Sequence, residues 1–223
     1  MPRAGISIQQ RTLGAVAAWV AFCLGMIYLV TLVFGFLSLK SPQQPIGDPY
    51  FSILEILIIL LMPAMVVSMI AVHSYASPED KGYSLASLSF MILVAGITCS
   101  EHLVILTVSR QITAAGITWS PLFFSFTWPS VVYALDILAW DLFFALSMLF
   151  AAPVFKGVPL ENAVRYLMIA SGFLSLLGII GIPLANMNVR DIGIVGYGVV
   201  APVVFLLLAL VFGRAKQAPG QVS

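Results

Sequence analysis

The sequence predicts an all-α fold: a polytopic integral membrane bundle of six transmembrane helices. Three observations carry that reading. Charged residues make up 9% and apolar residues 61% of the 223 residues, whereas a soluble domain carries about 25% charged residues. Mean hydropathy is +1.08. The apolar residues gather into six runs, each about 20 residues or longer, the length that crosses a bilayer core. Strand-like alternation does not persist over any useful length, which argues against a transmembrane barrel.

Span 1 covers residues 12–37. Its apolar run is too long for a signal-peptide core and no clean cleavage site follows, so it reads as an anchor. Ala17, Ala21 and Gly25 recur every four residues, with Gly14 and Ala18 beside them. Such a small-residue stripe lets helices approach closely, within the bundle or between two copies of the chain. Spans 2 and 3 cover 51–75 and 84–109, separated from their neighbours by SLKSPQQPIGDPY (38–50) and SPEDKGY (77–83). Span 4 covers 129–152, with Pro129 in its first turn, after a long aromatic loop at 110–128. Span 5 covers 162–187 behind Pro159, and NVRD (188–191) separates it from span 6 at 192–213. The breaks carry Pro, Gly, Asp and Asn, residues that stop helices or form turns. Pro63, Pro183 and Pro202 fall inside spans 2, 5 and 6. The whole chain, 1–223, reads as one transmembrane domain.

Orientation follows from the basic residues. With six spans, Arg3, Arg11, Lys81, Lys156, Arg165, Arg214 and Lys216 share one side, and Lys40, Arg110 and Arg190 the other. The positive-inside rule then places both termini in the cytoplasm of a cell-membrane protein. The net charge of +1 excludes an electrostatic nucleic-acid binder, so the expected partners are the lipid bilayer and a second copy of the chain.

The informative residues are the ionisable ones inside spans, because each is costly there and normally faces the bundle interior. They are Glu55, Glu101, His102, Asp136 and Asp141. At about 1.5 Å rise per residue, Glu55 lies roughly 6 Å, His102 and Asp136 roughly 10 Å, Glu101 about 12 Å and Asp141 roughly 18 Å below the outer helix ends. Spans 2, 3 and 4 thus bring acids to the outer half of the bundle, with no cation in the membrane to offset them and Arg110 as the nearest in sequence. Such carboxylates bind a proton or cation, or share protons. Glu101, His102 and Asp136 are expected to approach one another, with Asp141 deeper, forming an ion- or proton-binding site that also includes Glu55. Glu101, His102 and Asp136 are the candidate ligands of a divalent metal ion, the candidate cofactor. Competing readings are acids hydrogen-bonded to Thr98, Ser100, Tyr133 or backbone purely for packing, and a Glu55 at a wet interface. On an ideal α-helix Asp136 and Asp141 are about 140° apart, which spreads them over a wide face.

Other chemistries are disfavoured. His73 and His102 are separated by roughly 20 Å in depth, too far to ligate one haem, and His73 reads as interfacial. Every lysine lies in a loop or at a terminus, which argues against a retinal Schiff base. Cys23 and Cys99 form no C-x-x-C pair and read as small packing residues. The Gly193-x-x-Gly196-x-Gly198 run lies inside a helix with no preceding strand, so it reads as packing rather than a nucleotide loop. The loop containing Trp119, Phe123, Phe124, Phe126 and Trp128 reads as an aromatic interfacial belt or as an apolar lid over the acids. The leading function is a small transporter or channel-like protein. The alternatives are a membrane-embedded, metal-dependent enzyme acting on an apolar substrate, which the low histidine count disfavours, and a non-catalytic membrane subunit.

The topology is directly testable. Reporter fusions after Lys81 and Lys216 are expected to read cytoplasm, and one after Pro42 the outside; an opposite signal at any of the three breaks the orientation.

Overall fold

The computed structural model describes residues 7–41, 44–117 and 120–214. Arg3, Pro42, Trp119 and Lys216 lie outside the described residues. Six helices are long and apolar enough to cross a membrane, and no strand occurs among the described residues. Helix α1 is Ile8–Leu37 and α2 is Tyr50–Tyr75. Helix α3 runs through Lys81–Val104, a π-helical stretch Ile105–Ser109 and a last turn Arg110–Ala114. A short α4, Ser120–Phe123, lies in the aromatic loop. Helix α5 comprises Val131–Ile137, a π stretch Leu138–Phe144 and Ala145–Ala151. Helix α6 is Pro159–Ile179. Helix α7 comprises Met187–Ile194, a π stretch Val195–Val200 and Ala201–Arg214.

Several boundaries differ from the sequence reading by a few residues, and two of the differences bear on the site. Pro129 precedes α5 rather than opening it; Ser130 is the cap, its hydroxyl accepting the Tyr133 amide at 3.2 Å. The larger correction concerns span 5, which ends at Ile179 instead of residue 187. Pro183 lacks an amide hydrogen and disfavours helical backbone in the residue before it. Residues 180–186 turn instead, through bonds such as Gly181 N–H to Gly178 O at 3.0 Å, with Ala185 in left-handed backbone (φ 49°). Asn186 caps the next helix by accepting the Asn188 amide at 3.1 Å. NVRD is therefore helical, and Arg190 is inside α7 rather than in a loop.

The small stripe of α1 is buried within the chain, against α2 and α7. A Cβ on Gly14 would lie 2.4 Å from the Ala71 Cβ, and one on Gly25 would lie 3.4 Å from Pro202. The opposite face of α1 exposes Leu13, Val16, Val20, Ile27, Val30 and Phe34, an apolar surface suited to lipid. Met62, Met65, Met69, Met91, Met148, Met168, Phe144 and Phe212 fill the interior.

Buried serines tie helices together where lipid offers no hydrogen-bond partner. Ser87 and Ser147 each donate to the other's carbonyl, at 2.8 and 2.9 Å, joining α3 to α5. Ser171 donates to Gly196 O at 2.8 Å, joining α6 to α7. Near the terminal end of the bundle, the Tyr75 hydroxyl donates to Glu161 at 2.5 Å and Lys156 pairs with Asp80 at 2.9 Å. His73 is half-buried there, bonded to Ser84 at 2.9 Å.

Gly14 has no room for a side chain, since its Cβ would lie 2.4 Å from the Ala71 Cβ and 3.2 Å from the Phe212 ring, so Gly14→Leu has no free volume to occupy. Overpacking of this kind costs about 1–3 kcal/mol, and the variant is expected to melt several degrees lower in detergent. An unchanged melting temperature would mean that this face of α1 is not packed.

Candidate functional site

The core face of α3 follows a three-four spacing through Ser84, Ser87, Met91, Val94, Thr98 and Glu101. Glu101 therefore points inward by the same periodicity that buries Met91. His102, the next residue, is also buried, and so is Glu55 on α2. The His102 Nδ1 lies 2.7 Å from Glu55 Oε2, a short charge-assisted contact across the two helices. The Phe126 ring packs 4.9 Å from the imidazole, centroid to centroid. Glu55 is thus no wet interfacial residue: it holds His102.

A second group joins α5 to α7. The Arg190 guanidinium is 3% exposed, pairs with Asp136 through Nη2 at 2.9 Å, and approaches Asp141 Oδ2 through Nε at 3.4 Å. The rings of Tyr133 and Tyr197 lie 4.9 and 5.8 Å from its central carbon, a cation–π arrangement. The sequence reading that no cation reaches the acids is corrected here. Its cause is the boundary at Pro183, which moves Arg190 from a loop into the first turns of α7.

The two aspartates meet one guanidinium despite their five-residue spacing. Leu138–Phe144 is π-helical, and the i→i+5 pattern of a π turn brings residues five apart toward one face. Two glycines make the space. A Cβ on Gly193 would lie 1.9 Å from Asp141 Oδ1, and one on Gly178 would lie 2.4 Å from the same atom. The glycine run of α7 is packing, as its sequence context implied. It serves the approach of a charged side chain.

The two groups adjoin. Glu101, His102 and Asp136 each offer a ligand atom, all within 4.8 Å of one another. Among the described contacts, Arg190 links Asp141 to Asp136, and His102 links Glu55 to the cluster. Both oxygens of Glu101, both of Asp141, the Arg190 Nε and the Thr98 hydroxyl are buried without a hydrogen-bond partner; Asp141 has the Arg190 guanidinium at 3.4 Å, whereas Glu101 has no guanidinium beside it. Ser100 donates to Gly96 O at 2.7 Å, and Tyr133 packs on Arg190, so the proposed packing partners do not serve the acids through any described bond. Four carboxylates share one guanidinium and one imidazole. An acid excess survives even when His102 carries a proton.

One wall of this cluster opens on a cavity of about 710 Å³, within the usual range for ligand pockets. Glu55, His102, Tyr133, Asp136, Arg190 and Tyr197 form its polar wall. Apolar residues of α1, α2 and α7, among them Leu29, Ile58, Pro202 and Phe205, form much of the rest, with Ile105 of α3 and Trp140 of α5. Phe124–Thr127 of the aromatic loop also line it, so this loop segment borders the cavity beside His102. Arg110, the cation nearest in sequence, is instead exposed and pairs with Asp48 at 3.0 Å. The Ser52 hydroxyl and then Arg110 hold the Asp48 carboxyl below the usual carboxylate range.

No family model, curated protein or solved structure matches the chain.

The glycine constraint is testable. Gly193→Ala would drive a methyl into Asp141 and is expected to lower stability by about 1–3 kcal/mol, read as a lower melting temperature. Gly96→Ala, with nothing within 4 Å of its Cβ, is expected to be neutral or slightly stabilising. Equal melting temperatures for the two variants would contradict the contact.

Proposed function

We propose that the chain is a small membrane transporter or channel-like protein whose cluster takes up a proton or a metal cation from the cavity. The observation that carries this reading is the acid excess at the cavity wall, and within it the two unpartnered oxygens of Glu101. A buried carboxylate with no protein donor is costly. Arg190 offsets Asp136 and Asp141, and His102 faces Glu55, so a mobile positive charge is what the remaining carboxylate lacks.

The cavity gives that charge a route. His102 and Asp136 belong both to the cluster and to the cavity lining. The aromatic segment Phe124–Thr127 borders the same space and is suited to gate it. On the orientation read from the basic residues, with both termini in the cytoplasm, the cluster lies in the outer half. A second reading, an enzyme acting on an apolar substrate, is favoured by one feature: the apolar wall opposite His102 and Asp136. It would modify a cavity ligand covalently, whereas a transporter returns it unchanged.

The test is flux in vesicles. Purified chain reconstituted into liposomes loaded with a pH dye or a divalent-ion dye is expected to give saturable entry of protons or divalent cations above empty vesicles. Glu101→Gln, which keeps shape, removes the charge and leaves the Arg190–Asp136 pair intact, is expected to cut that flux at least tenfold with the chain still folded. Background-level flux for both ions, or undiminished flux in the variant, would overturn the reading.

A further inference from the structure

We propose that Glu101, His102 and Asp136 form a binding site for a divalent transition-metal ion, and that Glu55 is the positioning residue that aims His102 at it. This deepens the cation-handling reading above and rests on it only for the role of the ion in transport. The binding itself stands on geometry.

The three ligand atoms lie within 4.8 Å of one another. Atoms bound to one ion at about 2.0–2.2 Å can be at most roughly 4.4 Å apart, so a small side-chain adjustment closes the trio around an ion. Glu101 is 3% exposed and both of its oxygens lack a hydrogen-bond partner. A carboxylate that only fixed packing would be bonded to a neighbouring donor; this one presents its oxygens to the space between His102 and Asp136. The His102 Nε2 lies 3.9 Å from Glu101 Oε1. That is too long for a hydrogen bond and leaves room for both atoms to turn to a common ion.

The imidazole is set for this task. With Nδ1 donating to Glu55 Oε2 at 2.7 Å, the lone pair is on Nε2, on the side of Glu101. Metal-binding histidines are commonly held in this way by a carboxylate on the other ring nitrogen, which fixes tautomer and ring orientation. Phe126 restrains the ring further from its face. Two carboxylates and one imidazole suit Zn²⁺, Mn²⁺, Fe²⁺ or Co²⁺. Cys99 brings no soft ligand, because its thiol faces Ile59 O at 3.9 Å. Three protein ligands leave a coordination position open. His102 and Asp136 line the cavity, so that position faces the space from which a water or solute would come.

The test uses the full-length, untagged chain in detergent, stripped with a chelator and titrated with Co²⁺. One equivalent is expected to bind saturably, with a visible absorption band that Zn²⁺ displaces. Glu101→Gln and His102→Gln are expected to weaken binding at least 100-fold. Glu55→Leu is expected to weaken it about 10–100-fold, the usual effect of losing such a partner. Glu55→Gln keeps an oxygen that accepts the Nδ1–H bond and should recover most of the affinity, which a merely structural role for Glu55 would not require. X-ray absorption of the Zn²⁺-loaded wild-type chain, which does not depend on any variant folding, is expected to show one imidazole at about 2.0–2.1 Å. No saturable binding, an absence of imidazole scattering, or wild-type affinity in folded Glu101→Gln and His102→Gln would overturn the site. Vesicle flux without Co²⁺ binding would remove the metal and leave transport. Stoichiometric binding without flux would leave the metal site and remove transport.

Discussion

Burying Arg190 is the most demanding step in assembling this bundle. A guanidinium taken out of water loses several kcal/mol of hydration, and only close, well-bonded acids return it. Asp136 supplies a bond at 2.9 Å and Asp141 a second approach at 3.4 Å. Two tyrosine rings cover what remains. Once α5 and α7 are joined in this way, Asp136 is held beside His102 and Glu101 on α3, and Glu55 links α2 to the same point. Four of the six spans are thereby set relative to one another by ionisable groups, in an interior where alternative partners are scarce.

The backbone is fitted to that demand. Each of the three helices that supply Glu101, His102, Asp136, Asp141 and Arg190 departs from α geometry at or just after those residues, at Ile105–Ser109, Leu138–Phe144 and Val195–Val200. Wide turns of this kind concentrate at functional sites because they re-aim side chains. The stretch in α7 is followed by Pro202, which cannot donate to the carbonyl one turn back. Gly178 and Gly193 supply the missing volume where Asp141 enters. Ser171 then holds Gly196 O, keeping α6 against the wide turn.

Much of the fold was legible in the sequence, because six long apolar runs have few other solutions, and the small stripe of α1 pointed to a close helix contact. The approach of His102 to Asp136 was also readable, from antiparallel spans and equal depth. The partner of those acids was not. Arg190 stands next to Asp191 in a polar tetrapeptide that reads as a loop, and only Pro183, seven residues earlier, signals that the turn falls sooner. The convergence of Asp136 and Asp141 was hidden for another reason: a π turn leaves no mark in composition or periodicity, and ideal α geometry separates the two. A wet Glu55 stayed open as a competing reading because depth alone does not say which face of a helix is covered.

The most direct measurement of this account is a double-mutant cycle between Arg190 and Asp136, read by unfolding in detergent with Arg190→Met, Asp136→Asn and the pair. A buried ion pair requires that the singles be costly, at about 3–5 kcal/mol when one charge is stranded. The double variant should then be more stable than their sum implies, by about 0.5–3 kcal/mol. Additive effects within about 0.5 kcal/mol would mean that Arg190 does not meet Asp136 inside the membrane, and the cluster would have no cation of its own.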